Sequence, residues 1–364
     1  MVAARALAPR SGGAFFVPRL SDIARVNRVE GLALGAGGSW HATPVLTFGL
    51  LGRYGFADHA VTGRAAVQWT LPEGRSFTLT AERTNRDAGD VAERSLVVNS
   101  LASQEYGSDF TDPYLARSAA LGIALGAWHE VRFTLRGAYE EQGALAVHAT
   151  PFNGSYQPTL SAWPLNEWRA SLEIERDWVL GPASDFRVDL RLLRGWLTPR
   201  DTVISDAPVR FGRAFLSATL SQAIGTQRLV LRTTAGAVTP YTAPPQEQVL
   251  LGGPITGPGY AYHQFAAAFG ASQHVEWRSP LPFWSLPLGS FGKTPATFTL
   301  APYAHVVYVD RTAAFAPPAE GWYPSLGIGA SFFFDLLRVD VAHGLRDGGW
   351  TFGVDLAHEL WSIL

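Results

Sequence analysis

Hydrolytic or metal chemistry would show in these 364 residues as a few residue types at fixed spacings. His358-Glu359 lacks the second His of His-Glu-x-x-His, so no imidazole pair lies one helical turn apart to hold zinc. Gly-x-Ser-x-Gly does not occur, which removes the strained turn that exposes a serine nucleophile. The 9 His residues show no ligand spacing. Cys is absent, so thiolate ligands, Cys nucleophiles and disulfides are excluded. Asp109 and Asp112 stand close together as catalytic carboxylates would, but Asp is common in loops for turn reasons, and the pair reads as a solvated loop tip. The expectation is no catalytic residue, no metal and no cofactor, with a site built from residues distant in sequence left open. A net charge of -2 gives no electrostatic footprint for nucleic acid.

The remaining charged residues fall into a pattern. Arg132, Arg136, Arg169, Glu173, Arg187, Asp189, Arg191, Arg228, Arg232, Glu276, Arg278, Arg338 and Asp340 alternate with apolar residues. Between Trp168 and Trp178, for example, Trp168, Ala170, Leu172 and Ile174 fall on one face and Arg169, Ser171, Glu173, Glu175 and Asp177 on the other. A period of two means strands. The mixed signs predict cross-strand ion pairs holding a wall rather than a selectivity ring of one sign.

Composition narrows the class. With 47% hydrophobic and only 16% charged residues, disorder is excluded and a soluble surface is short of charge. No run of about 18 apolar residues exists to form a membrane helix. Alternation at near-neutral mean hydropathy is how a transmembrane barrel reads.

Strand-like segments recur at about 28–39, 44–54, 60–71, 75–84, 116–126, 129–141, 167–179, 184–196, 208–220, 226–238, 264–278, 296–309, 322–334, 336–344 and 349–359. Their connections sort by parity. Short links at 40–43, 72–74, 127–128, 180–183, 221–225 and 335 alternate with long ones at 85–115, 142–166, 197–207 and 239–263. Outer-membrane barrels show this asymmetry, short turns inside and long loops outside. Two connections break it, 55–59 being short on the long side and 279–295 long on the short side. The same parity asks for one more strand upstream, with 12–20 (Ala14, Phe15, Phe16, Val17) as the candidate. Ser95 to Gln104 could form a short helix in the first long loop. Trp40, Trp69, Trp128, Trp168, Trp178, Trp196, Trp277, Trp322 and Trp350 lie at or near strand ends, as aromatic girdles do. The fold class is therefore all-β, a transmembrane antiparallel β-barrel of about 16 strands (14 being the alternative count), with long extracellular loops and short periplasmic turns. Residues 1–25 are read as an N-terminal segment with a possible first strand, and 26–364 as the barrel domain.

One motif is specific. Gly252-Gly253, four residues, then Pro258-Gly259-Tyr260 are followed by a strand ending Glu276-x-Arg278-x-Pro280-Leu281. This resembles the BamA/TamA outer-membrane assembly superfamily, the surface-antigen barrels, whose sixth extracellular loop reads Gly-Gly, four residues, Arg-Gly-Phe/Tyr, before a strand ending Glu-x-Arg-x-Pro-Leu. Asn27-Arg28-Val29-Glu30-Gly31 also looks like the opening of a branch of that superfamily. The resemblance implies a loop tip folded into the lumen and a role in protein insertion or translocation.

Three departures bear on that implication. Pro258 stands where the family has the arginine whose guanidinium is held by barrel-wall carboxylates, and proline offers no donor. The nearest alternative cation is His263. No polypeptide-transport-associated domain precedes the barrel, and the first ten residues lack the apolar core of a secretory signal, which reads as a truncated start or an excised barrel. The chain ends Leu360-Trp361-Ser362-Ile363-Leu364 instead of on the aromatic typical of assembly signals. The functional expectation is an outer-membrane insertion or translocation barrel. The alternatives are a passive pore or structural barrel, and then an outer-membrane hydrolase. Expected partners are outer-membrane lipid and lipopolysaccharide, unfolded client proteins or separate periplasmic domains, with a monomeric barrel.

Overall fold

The computed structural model describes residues 12–14, 19–181, 183–200, 208–287, 289, 292–357 and 361. Period-two alternation becomes a single antiparallel meander. Its wall strands are β3 (Gly31–Thr43), β4 (Leu46–Gly55), β5 (Val61–Thr70), β6 (Arg75–Asp87), β7 (Pro113–Trp128), β8 (Val131–Gly143), β9 (Leu165–Gly181), β10 (Ser184–Pro199), β11 (Arg210–Ile224), β12 (Gln227–Thr239), β14 (Phe265–Pro282), β15 (Thr297–Thr312), β16 (Gly321–Phe332), β17 (Leu337–Gly344) and β18 (Trp350–Leu356). Each pairs with the next along the wall. All fifteen segments read from the sequence are present in order. Their ends shift for local reasons: residues 28–30 form a turn, because the Asn27 side chain accepts the amides of Val29 (3.0 Å) and Glu30 (2.8 Å), an Asx turn that ends the strand. His358 and Glu359 lie outside the described residues.

The upstream strand is present but broken. β1 (Gly12–Ala14) pairs with Ser39–His41 and β2 (Ala24–Asn27) with Gly31–Leu34, both on the edge of β3 that β4 does not cover. Between them the short helix α1 (Leu20–Ile23) replaces strand. Phe15, Phe16 and Val17 lie outside the described residues. Gly35 makes the break possible, since a Cβ there would run into the carbonyl oxygen of Asp22 on α1. Counting β1 and β2 as one broken strand gives sixteen, and places the 240–264 connection between the eleventh and twelfth. Among the described residues no register joins β18 to β2 or β3.

Turns at one end of the wall are short except for 283–296, whereas loops 88–112, 144–164 and 240–264 at the other are long and 56–60 there is short, so both exceptions read from the sequence are present. Outward side chains are apolar and exposed, among them Leu50 at 69%, Leu79 at 58% and Leu121 at 48%. The nine strand-end tryptophans form two rows. Trp40, Trp69, Trp128, Trp178 and Trp277 lie toward the turn end, and Trp168, Trp196, Trp322 and Trp350 at the loop end. That is where amphipathic rings settle at the two faces of a bilayer. Among the described residues no helix is long and apolar enough to cross a membrane.

Inward charges pair across strands, as alternation predicts. Arg132 reaches Glu175 (3.0 Å) and Asp177 (3.2 Å), and Arg187 reaches Asp177 (2.5 Å). The lumen is filled by chain. The third loop, 88–112, carries α2 (Leu96–Tyr106), capped by Ser95 accepting the Val98 amide and ended by Gly107 in the left-handed region. The predicted helix in the first long loop is therefore there, and it occupies the lumen together with the sixth loop.

Candidate functional site

The sixth loop crosses the lumen and is held at both ends. Near its start, Glu247 pairs with Arg169 of β9, and Gln246 Nε2 donates to Gln142 Oε1 of β8 at 2.7 Å. The loop then adds β13 (Val249–Leu251) to the edge of β14 and turns at Gly252-Gly253. Four loop bonds make the tip rigid. Gly252 N–H donates to Thr256 Oγ1 (3.0 Å), Gly257 N–H to Gly253 O (3.0 Å), Tyr260 N–H to Gly257 O (3.0 Å) and His263 N–H to Gly252 O (3.2 Å).

Tyr260 is the anchor. Only 2% exposed, it packs with Val249, Leu251, Phe265, Val307, Val309 and Tyr323. Its hydroxyl donates to Pro324 O of β16 at 2.7 Å. Burial raises its hydroxyl pKa, which keeps it the donor that the Pro324 carbonyl needs. Gly259 N–H donates to Thr351 Oγ1 of β18 (2.9 Å), and Gly349 N–H to Gly259 O (3.0 Å). Gly259 has φ +90°, and a Cβ on it would overlap the Gly344 amide nitrogen. Only glycine allows both the left-handed backbone and the contact.

Pro258 is buried beside Tyr260 and lines a cavity of about 200 Å³ with Arg94, Phe110 and Tyr303. Two polar groups hold the tip. A carboxylate from the third loop, Glu93, 2% exposed, accepts Ile255 N–H at 2.6 Å, Thr256 N–H at 3.2 Å and the Thr256 hydroxyl. Burial raises its pKa, while the bonds from Thr256 and Ile255 pull against that shift. From the wall, His305 Nε2 donates to Thr256 O at 3.0 Å.

The wall carboxylate is satisfied within the wall. Glu276 takes Arg278 Nε (2.5 Å), Arg338 Nη2 (2.6 Å) and Nη1 (3.1 Å), with His274 Nε2 at 3.2 Å. His274 Nδ1 in turn stands 3.3 Å from His305 Nδ1. A polar chain therefore runs from Arg338 through Glu276, His274 and His305 to the tip of the loop.

His263 pairs with the third loop. Its Nδ1 is 2.6 Å from Asp112 Oδ2 on the third loop. Asp112 also accepts Arg28 Nη2 at 2.6 Å. Burial alone would raise the Asp112 pKa, but His263 and Arg28 outweigh it and hold it below the usual 3.8. The solvated-tip reading of Asp109 and Asp112 is corrected as well. Asp109 is buried, accepting the Arg28 amide (2.9 Å) and Asn99 Nδ2 (3.0 Å). The buried Arg28 guanidinium draws both carboxylates out of solvent.

Gly252, Gly253, Pro258, Gly259 and Tyr260 thus share one seat, Glu276 and Arg278 lie on the wall next to it, and the His263 side chain, at the end of the sixth loop, turns to Asp112 of the third loop. Glu173, Glu175 and Asp189 gather on β9 and β10. Arg132 on Glu175 and Arg191 on Asp189 (3.4 Å) already neutralise two of them. On the turn side of the seat the lumen keeps a cavity of about 1510 Å³, lined by residues including Arg187, Arg228, Arg232, Glu276, Arg338 and Asp340.

No family model matches the sequence, and no curated protein does. Solved structures do match. BamA from Haemophilus ducreyi lacking POTRA domains 1–3 superposes with a TM-score of 0.57 at 10% identity, over 94% of this chain and 70% of that one. The two share a barrel fold. CdiB from Acinetobacter baumannii (TM-score 0.45, 12% identity, 91% of this chain and 57% of that one) and CdiB from Escherichia coli (0.44, 10%, 92% and 59%) are more distant. The chain spans less than two thirds of either CdiB.

Proposed function

We propose that the chain is an outer-membrane barrel acting in protein insertion or translocation, similar to the BamA/TamA superfamily and carrying Pro-Gly-Tyr in place of Arg-Gly-Tyr. The observation that carries this reading is the seat of the sixth-loop tip inside the lumen. Tyr260 is bonded to β16, and Gly259 to β18 and to the turn before it. The seat touches the strands at the C-terminal end of the wall, so its state is linked to theirs. Arg338 supplies Glu276 with the guanidinium that the loop lacks, which supports retention of the seat without the loop arginine. The apolar outer face and the two tryptophan rows support burial in a bilayer, with outer-membrane lipid and lipopolysaccharide around a monomeric barrel. Unfolded client proteins and separate periplasmic domains are the proposed partners, and no cofactor, metal or catalytic residue is invoked.

The test uses the purified chain in liposomes, following the protease-resistant, heat-modifiable form of an unfolded outer-membrane client. Faster client folding than in empty liposomes is expected, with the gain lost in Tyr260→Ala. The cavity on the turn side favours the second reading, a passive pore. Steady ion conductance with client folding no faster than in empty liposomes would establish the pore and sink the insertion reading.

A further inference from the structure

The two ends of the wall meet at α2. On the first-strand side, the Val26 amide of β2 does not bond β3; it points off the opposite edge and donates to Ser100 Oγ of α2 at 3.0 Å, while Ser100 Oγ donates to Leu96 O at 2.7 Å. On the last-strand side, Ser95 N–H and Ser95 Oγ–H both donate to the Asp355 carboxylate of β18, at 3.1 and 2.6 Å. Asp355 thereby sits at the positive end of the α2 dipole, where a carboxylate is favoured. Arg94, next to the cap, reaches Val354 O of β18 at 3.4 Å while its guanidinium lies over the Phe110 ring.

The long loops hold the helix as well. Asn99 Nδ2 donates to Asp109 Oδ1 (3.0 Å), and Tyr156 of the fourth loop donates to Ser103 O (2.9 Å). A helix that takes a backbone donor from one seam strand and binds a carboxylate on the other spans the gap between them. Side-chain bonds of this kind can be released singly, unlike a continuous strand ladder whose bonds form and break together.

We propose that α2 is a strap across the seam: it ties the broken first strand to the last strand from inside the lumen, and β2 and β18 separate when it lets go. The strap is independent of what crosses the barrel and holds equally for an insertion barrel and a pore. Because the chain has no Cys, spin labels can be placed without background. One pair, Leu32→Cys and Phe352→Cys, sits on outward faces flanking the seam; the other, Leu135→Cys and Leu192→Cys, spans β8 to β10 on the far wall. In the Ser100→Ala/Asp355→Ala variant the seam distance should lengthen and broaden while the far-wall distance stays put. A folded variant with an unchanged seam, or with both pairs broadened alike, overturns the strap. If the double variant does not fold, Ser100→Ala alone decides by amide exchange at Val26. Exchange about tenfold faster is expected for one lost hydrogen bond, and an unchanged rate overturns the proposal.

Discussion

Glu93 and Tyr260 carry the loop seat from opposite sides, and each is expected to fail in its own way. Tyr260→Phe removes only the bond to Pro324 and is expected to cost about 0.5–1.5 kcal/mol. Tyr260→Ala also empties a packed site and is expected to cost about 3–5 kcal/mol; urea midpoints of the folded, heat-modifiable form read both. Glu93→Ala strands the Ile255 and Thr256 amides, at about 1–3 kcal/mol, and should open residues 252–263 to protease before the wall unfolds. Asp112 gives the pH dependence. Its pKa is lowered in the folded chain, so the stability it contributes is present above the usual 3.8 and is lost as pH falls through the lowered value. Asp112→Asn should remove that acid-side loss; an acid limb identical to that of the unaltered protein contradicts the assignment. The Gly-Gly and Pro-Gly-Tyr residues of this seat are legible in the sequence only through the resemblance of their motif to the sixth loop of the surface-antigen barrels. Glu93 is not, since it is one carboxylate in a polar stretch and its partner Ile255 lies 162 positions away.

At the scale of elements, alternation reveals the wall because every strand has a wet face and an apolar one, and a one-residue slip would invert both. It says nothing of what fills the lumen. α2 mixes apolar and polar residues with no clear face, and only the Ser95 cap before an apolar run signals it. The first strand is half legible. Its β1 and β2 pieces alternate too briefly to be distinctive, and the break is written in Gly35, whose missing side chain makes room for α1. Gly35→Val should therefore push α1 off β3, costing about 1–3 kcal/mol by overpacking. Amide exchange should rise in Ala24–Asn27 and not in β8 or β9. Equal protection in both regions would mean that α1 does not depend on this contact.

The whole molecule is a wall whose lumen is occupied by two of its own loops, tied to each other and to the strands at its seam. Pro258 brings no charge to the seat: Arg338 serves Glu276, while Glu93 and His305 serve Thr256. A barrel plugged in this way should pass little current at rest, in contrast to a porin of similar strand number. Planar-bilayer recording of the purified chain, unaltered and as Glu93→Ala/Tyr260→Ala, tests this most directly. The seated loop requires low resting conductance in the first and discrete open steps in the second. Steady, large conductance in the unaltered chain, unchanged in the variant, would contradict a plugged lumen and leave a passive pore.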